Sequence, residues 1–216
     1  MLELGLKMLI AYLLGSLLGA LVVGAARGVD IRLQGSGNAG GTNALRTQGF
    51  WFAAGVVFID VGKGVLAAAW LPAWAIPGIA GAAGIERGWI AAVCAAAAVA
   101  GHVWPLYHQF RGGKGGATLA GALLVLAPAV LPVAIAGWLL IVLLTGFAGL
   151  ATMVAAGAVP VALWLLGLPA LPLMTFAIAM AAFILWTHRG NIGRMRGGSE
   201  PQLSGLWLLR PRNPRP

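Results

Sequence analysis

GATLAGALLVLAPAVLPVAIAGWLLIVLLTG, Gly116 to Gly146, decides the fold, because it reads either as one long apolar helix or as two short ones broken near Pro128 and Pro132. Proline removes a backbone donor and crowds the preceding turn, so the pair marks a break. Around this stretch the other apolar segments fall at roughly 5–26, 50–71, 88–105, 150–167 and 170–187. With the break, 116–131 and 133–146 bring the total to seven. The loops 27–49, 102–116 and 145–150 and the tail from 188 then share one face, with Arg27, Arg32, Arg46, Arg111, Lys114, Arg189, Arg194, Arg196, Arg210, Arg212 and Arg215. The other face keeps Lys7 and Arg87. By the positive-inside rule the N-terminus lies outside and the C-terminus in the cytoplasm; with six spans the Arg-rich tail would be stranded outside.

Composition points the same way. The chain of 216 residues is 60% hydrophobic and 9% charged, with a mean hydropathy of +0.92. A water-soluble domain carries about a quarter charged residues, so this reads as an all-α integral membrane protein. Residues 1–216 form a single polytopic domain, and Gly197 to Pro216 are expected to lie along the interface with Trp207 as an anchor. Met8 to Ala26 is uncharged and long enough to span, so it is read as a retained first helix rather than a cleaved signal. No lipidation box stands at either end. The formal charge of +9 fits anionic lipid, an anionic substrate or topology signalling. Nucleic acid is a poor partner, because no soluble domain carries the charge. Cys94, the one cysteine, lies in an apolar run and reads as a buried inert thiol.

Three polar, Gly-rich islands interrupt the apolar runs: GSGNAGGTNALR (Gly35 to Arg46), GHVWPLYHQFRGGKGGAT (Gly101 to Thr118) and HRGNIGRMRGGSE (His188 to Glu200). Polar groups are costly near a bilayer, so they imply a function, and on one face they make a cationic, Gly-lined site for an anion. In the first, Gly35, Gly37, Gly40 and Gly41 let the backbone approach an oxyanion. Ser36, Asn38, Thr42 and Asn43 add neutral donors, and Arg46 offers a planar fork suited to phosphate. In the second, Arg111 and Lys114 stand among Gly112, Gly113, Gly115 and Gly116, before a helix expected to begin near Ala117. It is not a Walker loop, since Gly follows the Lys and the GxxxxGK spacing is absent. His102 and His108 flank Pro105, with a structural and a direct role both open.

In the third island His188, Asn191 and Met195 recur at helical spacing, so the last helix is expected to continue past the membrane surface, with His188 and Asn191 facing one substrate. Arg196 reads as topology signal or ligand contact. Glu200 either pairs with an Arg or orients His188. Asp60 and Lys63, at i and i+3 in the second segment, neutralise each other, a direct substrate contact being the alternative. No metal or cofactor is expected, because the three His lack a partner set of carboxylates or thiols, and no GxSxG elbow is present. An organic-phosphate transporter is the rival reading; against it, only Asp60 and Lys63 lie deep in the membrane.

Together the three islands and Asp60-Val-Gly-Lys63-Gly64 resemble the bacterial acyl-phosphate:glycerol-3-phosphate acyltransferases, the PlsY family, over nearly the whole chain. The resemblance implies seven spans with the N-terminus outside, in the bacterial plasma (inner) membrane with a cytoplasmic active site. It implies acyl transfer from acyl phosphate, not acyl-CoA, to the 1-hydroxyl of sn-glycerol 3-phosphate, giving lysophosphatidic acid and phosphate. A soluble acyltransferase that makes the acyl phosphate is the implied metabolic partner. By the family pattern Lys114, His188, Ser36 and Arg46 are catalytic candidates. Gly37, Asn38, Gly40, Thr42, Asn43, Gly112, Gly113, Gly115, Arg189, Asn191 and Glu200 are binding candidates. Lys114 and nearby amides are placed at the acyl phosphate, and Arg46, His188 and Asn191 around glycerol phosphate. No covalent acyl-enzyme is implied; a substrate phosphate or His188 takes the hydroxyl proton. Phe147 to Thr152 departs from the family's serine-bearing loop, so a hydroxyl contact at Gly149 is lost. Gly41, Arg111 and Gly116 replace the family's common Ala, Lys and Val.

Overall fold

A computed structural model describes residues 1–81, 84–203 and 205–209, and the described residues form helices and loops with no strand. Arg210, Arg212 and Arg215, used in the topology argument, lie outside them. The elements are α1 (Leu2–Gly15), α2 (Gly19–Ala25), α3 (Gly41–Gln48) and α4 (Phe50–Val65), which continues through a π-helical turn (Leu66–Trp70) into α5 (Leu71–Ala73). Then follow α6 (Arg87–Val103), α7 (Gly116–Leu126), α8 (Leu131–Thr145), α9 (Ala148–Leu165), α10 (Leu171–Thr187) and α11 (Arg189–Arg196).

The proline break is present. α7 stops at Leu126 and α8 starts at Leu131, with Pro132 in its first turn, where a missing N–H leaves no bond unmade. Both pieces are short: at about 1.5 Å per residue, 11 residues of α7 reach roughly 16 Å against a hydrocarbon core of about 30 Å. Among the described residues three stretches are long and apolar enough to cross a membrane, Phe50–Ala73, Arg87–His108 and Ala148–Leu165, and five if each bent pair is one span. α7 lies backbone to backbone on α4. A Cβ on Gly64 would sit 2.1 Å from the Thr118 carbonyl oxygen, and one on Gly121 2.0 Å from that of Val61.

The first segment, expected from its uncharged run to be one helix, is broken in two. α1 and α2 meet at 47°, across Ser16 to Leu18. The Ser16 hydroxyl donates to the Tyr12 carbonyl at 2.9 Å and accepts Leu106 N–H at 3.2 Å. The freed backbone groups find their partners on α4: Lys63 Nζ donates to Leu17 O at 2.8 Å, and Gly19 N–H donates to Asp60 Oδ1 at 3.1 Å. Asp60 and Lys63 do form the expected ion pair, at 2.9 Å, but they also cap a broken span from the neighbouring helix.

α10 likewise does not run on through the third island. It ends at Thr187 and turns by 49° into α11, with His188 at the bend. The largest apolar cluster joins α6, α7, α9 and α10 through Val99, Leu123, Leu163, Phe176 and Ile184. A second, with Leu18, Ile31, Phe52 and Val56, lies under the first island. The described part of the tail folds back on α8: Leu203 N–H donates to Gly146 O at 2.8 Å, Leu208 N–H to Leu143 O at 2.9 Å, and Trp207 Nε1–H to Leu144 O at 2.9 Å.

Candidate active site

The three islands converge on one cavity of about 550 Å³. Its polar end is lined by Ser36, Asn38, Thr42, Arg46, Lys114, His188, Asn191 and Glu200. Its other end is apolar, walled by Leu119 and Leu123 of α7, Ile135 and Trp138 of α8, and Ala155 and Val159 of α9. Such a shape accepts a ligand with a charged head and a long apolar tail.

Asn43 shapes the first island. Its amide donates to the Ile31 and Gln34 carbonyls, both at 3.0 Å, and its Oδ1 accepts Ser36 N–H at 3.0 Å. Asn43 is buried and these bonds occupy it, so it acts as the loop's frame. The side chains of Ser36, Asn38 and Thr42 stand at the cavity with no hydrogen-bond partner among the described residues. Gly40 and Gly41 also line it; Gly37 does not, and its N–H goes to Gln34 O at 3.0 Å. Arg46, in the last turn of α3, gives Nη2 to the Pro201 carbonyl at 3.4 Å and keeps a buried Nε without a partner. Burial holds its pKa below the usual arginine value, with Glu200 opposing and Arg194 adding to the shift.

The second island folds against the end of α6. Gly113 N–H donates to His102 O at 3.1 Å, and a Cβ on Gly113 would lie 2.1 Å from His102 Nε2, so only glycine fits there. α7 begins at Gly116, one residue ahead of expectation, with Gly115 before it. Gly115 and Gly116 reach the cavity; Gly112 and Gly113 stand behind them. Lys114 Nζ donates to Asn191 Oδ1, and the Lys114 carbonyl accepts the Thr187 hydroxyl at 3.1 Å. Its pKa is pushed down to about 8, first by burial, then by Arg194, with Glu200 opposing and Arg46 adding.

In the third island Glu200 accepts from Asn191 Nδ2 at 2.6 Å and from Arg194 Nε at 2.8 Å. Of the two readings of Glu200, pairing with an Arg holds; it does not orient His188. A chain Arg194–Glu200–Asn191–Lys114 thus links the second and third islands. His188 is oriented by its own helix, Nδ1 lying 2.8 Å from Ile184 O. A carbonyl only accepts, so Nδ1 carries the proton and Nε2 is left as a base. Arg189 is turned away, its guanidinium 4.1 Å over the Trp186 ring and bonded to Trp186 O at 3.1 Å, outside the cavity wall. At Gly149, where the serine-bearing loop is replaced, a Cβ would lie 2.6 Å from Asn191 Nδ2. The bare backbone there makes room for the Asn191 amide.

Sequence reasoning did not single out Trp138, whose indole N–H donates to the Thr152 hydroxyl at 3.0 Å in the apolar wall. A tryptophan in an apolar helix gives no signal of a cavity rather than lipid. Asp60 and His102 also line the cavity, although both are buried.

The family model described as Glycerol-3-phosphate acyltransferase matches residues 5–198. A glycerol-3-phosphate acyltransferase of Rubrobacter xylanophilus is 39% identical over 200 residues, covering 93% of this chain and 95% of that protein. One of Pseudomonas syringae pv. tomato is 41% identical over 192 residues, with 88% and 93% covered. Among solved structures, the chain is similar to PlsY (YgiH), an integral membrane glycerol 3-phosphate acyltransferase. Its glycerol 3-phosphate form gives a TM-score of 0.78 at 30% identity, covering 93% of this chain and 95% of that one. Its lysophosphatidic acid form gives 0.79 at 30%, covering 95% and 98%.

Proposed function

This chain belongs to the glycerol-3-phosphate acyltransferase family, and we propose that it moves a fatty acyl group from acyl phosphate to the 1-hydroxyl of sn-glycerol 3-phosphate. The observation that carries the reading is the single cavity with cationic donors at one end and an apolar wall at the other. An acyl phosphate has that polarity, and so does the lysophosphatidic acid product. Membership of the acyltransferase family, rather than the lining alone, weighs against an organic-phosphate transporter.

The glycerol phosphate hydroxyl attacks the acyl carbonyl carbon, the carbon–oxygen bond to phosphate breaks, and inorganic phosphate leaves with the electron pair. The hydroxyl proton goes to the departing phosphate or to His188 Nε2. An acyl phosphate already has a good leaving group, so the protein's task is to stabilise charge and align two anions that repel each other. Lys114 and the amides of Gly115 and Gly116 suit the acyl phosphate, where α7 leads into the apolar wall. Arg46, with its free Nε, and His188 suit glycerol phosphate. Ser36, Asn38 and Thr42 supply neutral donors between them, and Asn191 with Glu200 fixes Lys114.

We place the molecule in the bacterial plasma (inner) membrane as one polytopic domain with seven spans, α7 and α8 counting as two. The N-terminus is outside and the islands face the cytoplasm, where a soluble acyltransferase delivers the acyl phosphate. Support comes from the charge asymmetry along the chain and the proline break between α7 and α8.

Turnover of purified protein in lipid tests the reading, with palmitoyl phosphate and radiolabelled glycerol 3-phosphate against palmitoyl-CoA as a parallel donor. Lysophosphatidic acid from the acyl phosphate alone is expected. Product from the CoA ester alone, or none from folded protein, would overturn it.

A further inference from the structure

A second hollow, of about 300 Å³, lies between α1, α6 and α10 and shares no lining residue with the active-site cavity. Ala96, Ala97 and Ala100 of α6 form its floor, with Met8 of α1 on one side and Met180 and Phe183 of α10 on the other. α6 packs on both neighbours, and its small side chains leave the groove open. The lining is entirely apolar and belongs to helices of a membrane protein, so hydrocarbon fills it without leaving a hydrogen bond unmade.

The end of the groove toward α11 has a different character. Phe183 packs on Trp104 and Trp186, with ring centroids 5.4 and 6.0 Å away, and the two tryptophans stand 5.5 Å apart. Both are partly open to the surroundings, and neither indole N–H has a partner among the described residues. Arg189 lies over Trp186 and gives one N–H to its carbonyl. The rest of its guanidinium is unpartnered among the described residues, with no carboxylate to balance it. Arg189 also opens α11, the end of a helix where the backbone dipole favours an anion over a cation. An apolar groove that ends in an aromatic belt and an unbalanced guanidinium matches the polarity of a lipid with a negative headgroup.

We propose that this face binds an anionic glycerophospholipid of the surrounding bilayer, one acyl chain lying in the groove over Ala97 and the phosphate at the Arg189 guanidinium. Arg189, which the active-site cavity does not use, thereby gains a ligand. The site needs only the bilayer and does not rest on the acyl-transfer reading.

Native mass spectrometry of the full-length protein, released from detergent and titrated with dioleoyl phosphatidylglycerol or dioleoyl phosphatidylcholine, tests it. Arg189→Gln is expected to weaken phosphatidylglycerol binding about 5-fold and to leave phosphatidylcholine unchanged, and Arg189→Lys to recover most of the loss. Ala97→Phe, which fills the groove, is expected to weaken both lipids. Lys114→Ala, in the other cavity, is expected to bind both as wild type does. Equal phosphatidylglycerol affinity in Arg189→Gln and wild type would overturn the proposal, and so would undiminished binding in folded Ala97→Phe. Loss of phosphatidylglycerol in Lys114→Ala would put the lipid in the active-site cavity instead. A dimer that Ala97→Phe separates, with no lipid retained, would give the groove to a second copy of the chain and likewise overturn it.

Discussion

Two charged clusters lie side by side in this molecule and use their protons differently. Around Lys63 the network is closed: Asp60, His102 and the Leu17 carbonyl occupy the ammonium, and the cluster holds a broken helix and a loop in place. Around Lys114 the network is open. One proton goes to Asn191, and Arg46 Nε beside it has no partner. Burial separates them only by degree, Lys63 being buried and Lys114 half-buried, and does not tell scaffold from binding site. The number of unused donors does.

Breaking the closed cluster has the largest expected effect. Lys63→Met leaves the Asp60 carboxylate buried without its cation, which costs about 3–5 kcal/mol; denaturation in lipid or detergent should show it, and stability equal to wild type would mean the pair is dispensable. Breaking the open cluster should leave stability alone and hit chemistry. Lys114→Ala is expected to lose roughly 10²–10³ in kcat, by analogy with removing one oxyanion donor, with an unfolding midpoint near wild type. Glu200→Gln should cost less, about 10-fold in kcat/KM, through loosened Asn191 and Arg194.

The pH profile sharpens the contrast. With its pKa lowered to about 8, Lys114 is charged below that pH and loses its proton above it, so kcat/KM should fall as pH rises through about 8. Lys114→Arg should move that limb to higher pH, because guanidinium stays charged. An alkaline limb that does not move would assign the titration to another group. The smallest effect is expected at Gly149→Ser, whose Cβ would press on the Asn191 amide: a few-fold loss in kcat/KM, measured beside Glu200→Gln. A gain would mean that Asn191 can yield.

Much of the fold was legible because a bilayer leaves few options. The seven apolar runs are all helical, and the break between α7 and α8 falls at Pro128, with Pro132 in the first turn that follows it. The break after Ser16 was not legible: its stabilising partners, Asp60 and Lys63, are more than forty residues away, and no local proline marks it. The bend at His188 was hidden for the same reason, since helical spacing runs straight through it. At the site, Arg46, Lys114, His188 and Asn191 were readable as polar groups out of place in an apolar chain. Arg189 has the same signal yet faces Trp186, because direction around a bend is a property of packing.

By itself the sequence determined that this is a helical membrane protein with three polar islands suited to anions, since apolar length and the cost of polar groups near lipid are local quantities. Only the tertiary structure decided which donors are left free, that Glu200 serves Asn191 rather than His188, and that an apolar wall from α7, α8 and α9 joins the islands in one cavity. Those outcomes depend on distances between residues far apart in the chain, and a hydrogen bond is made or lost within a fraction of an ångström.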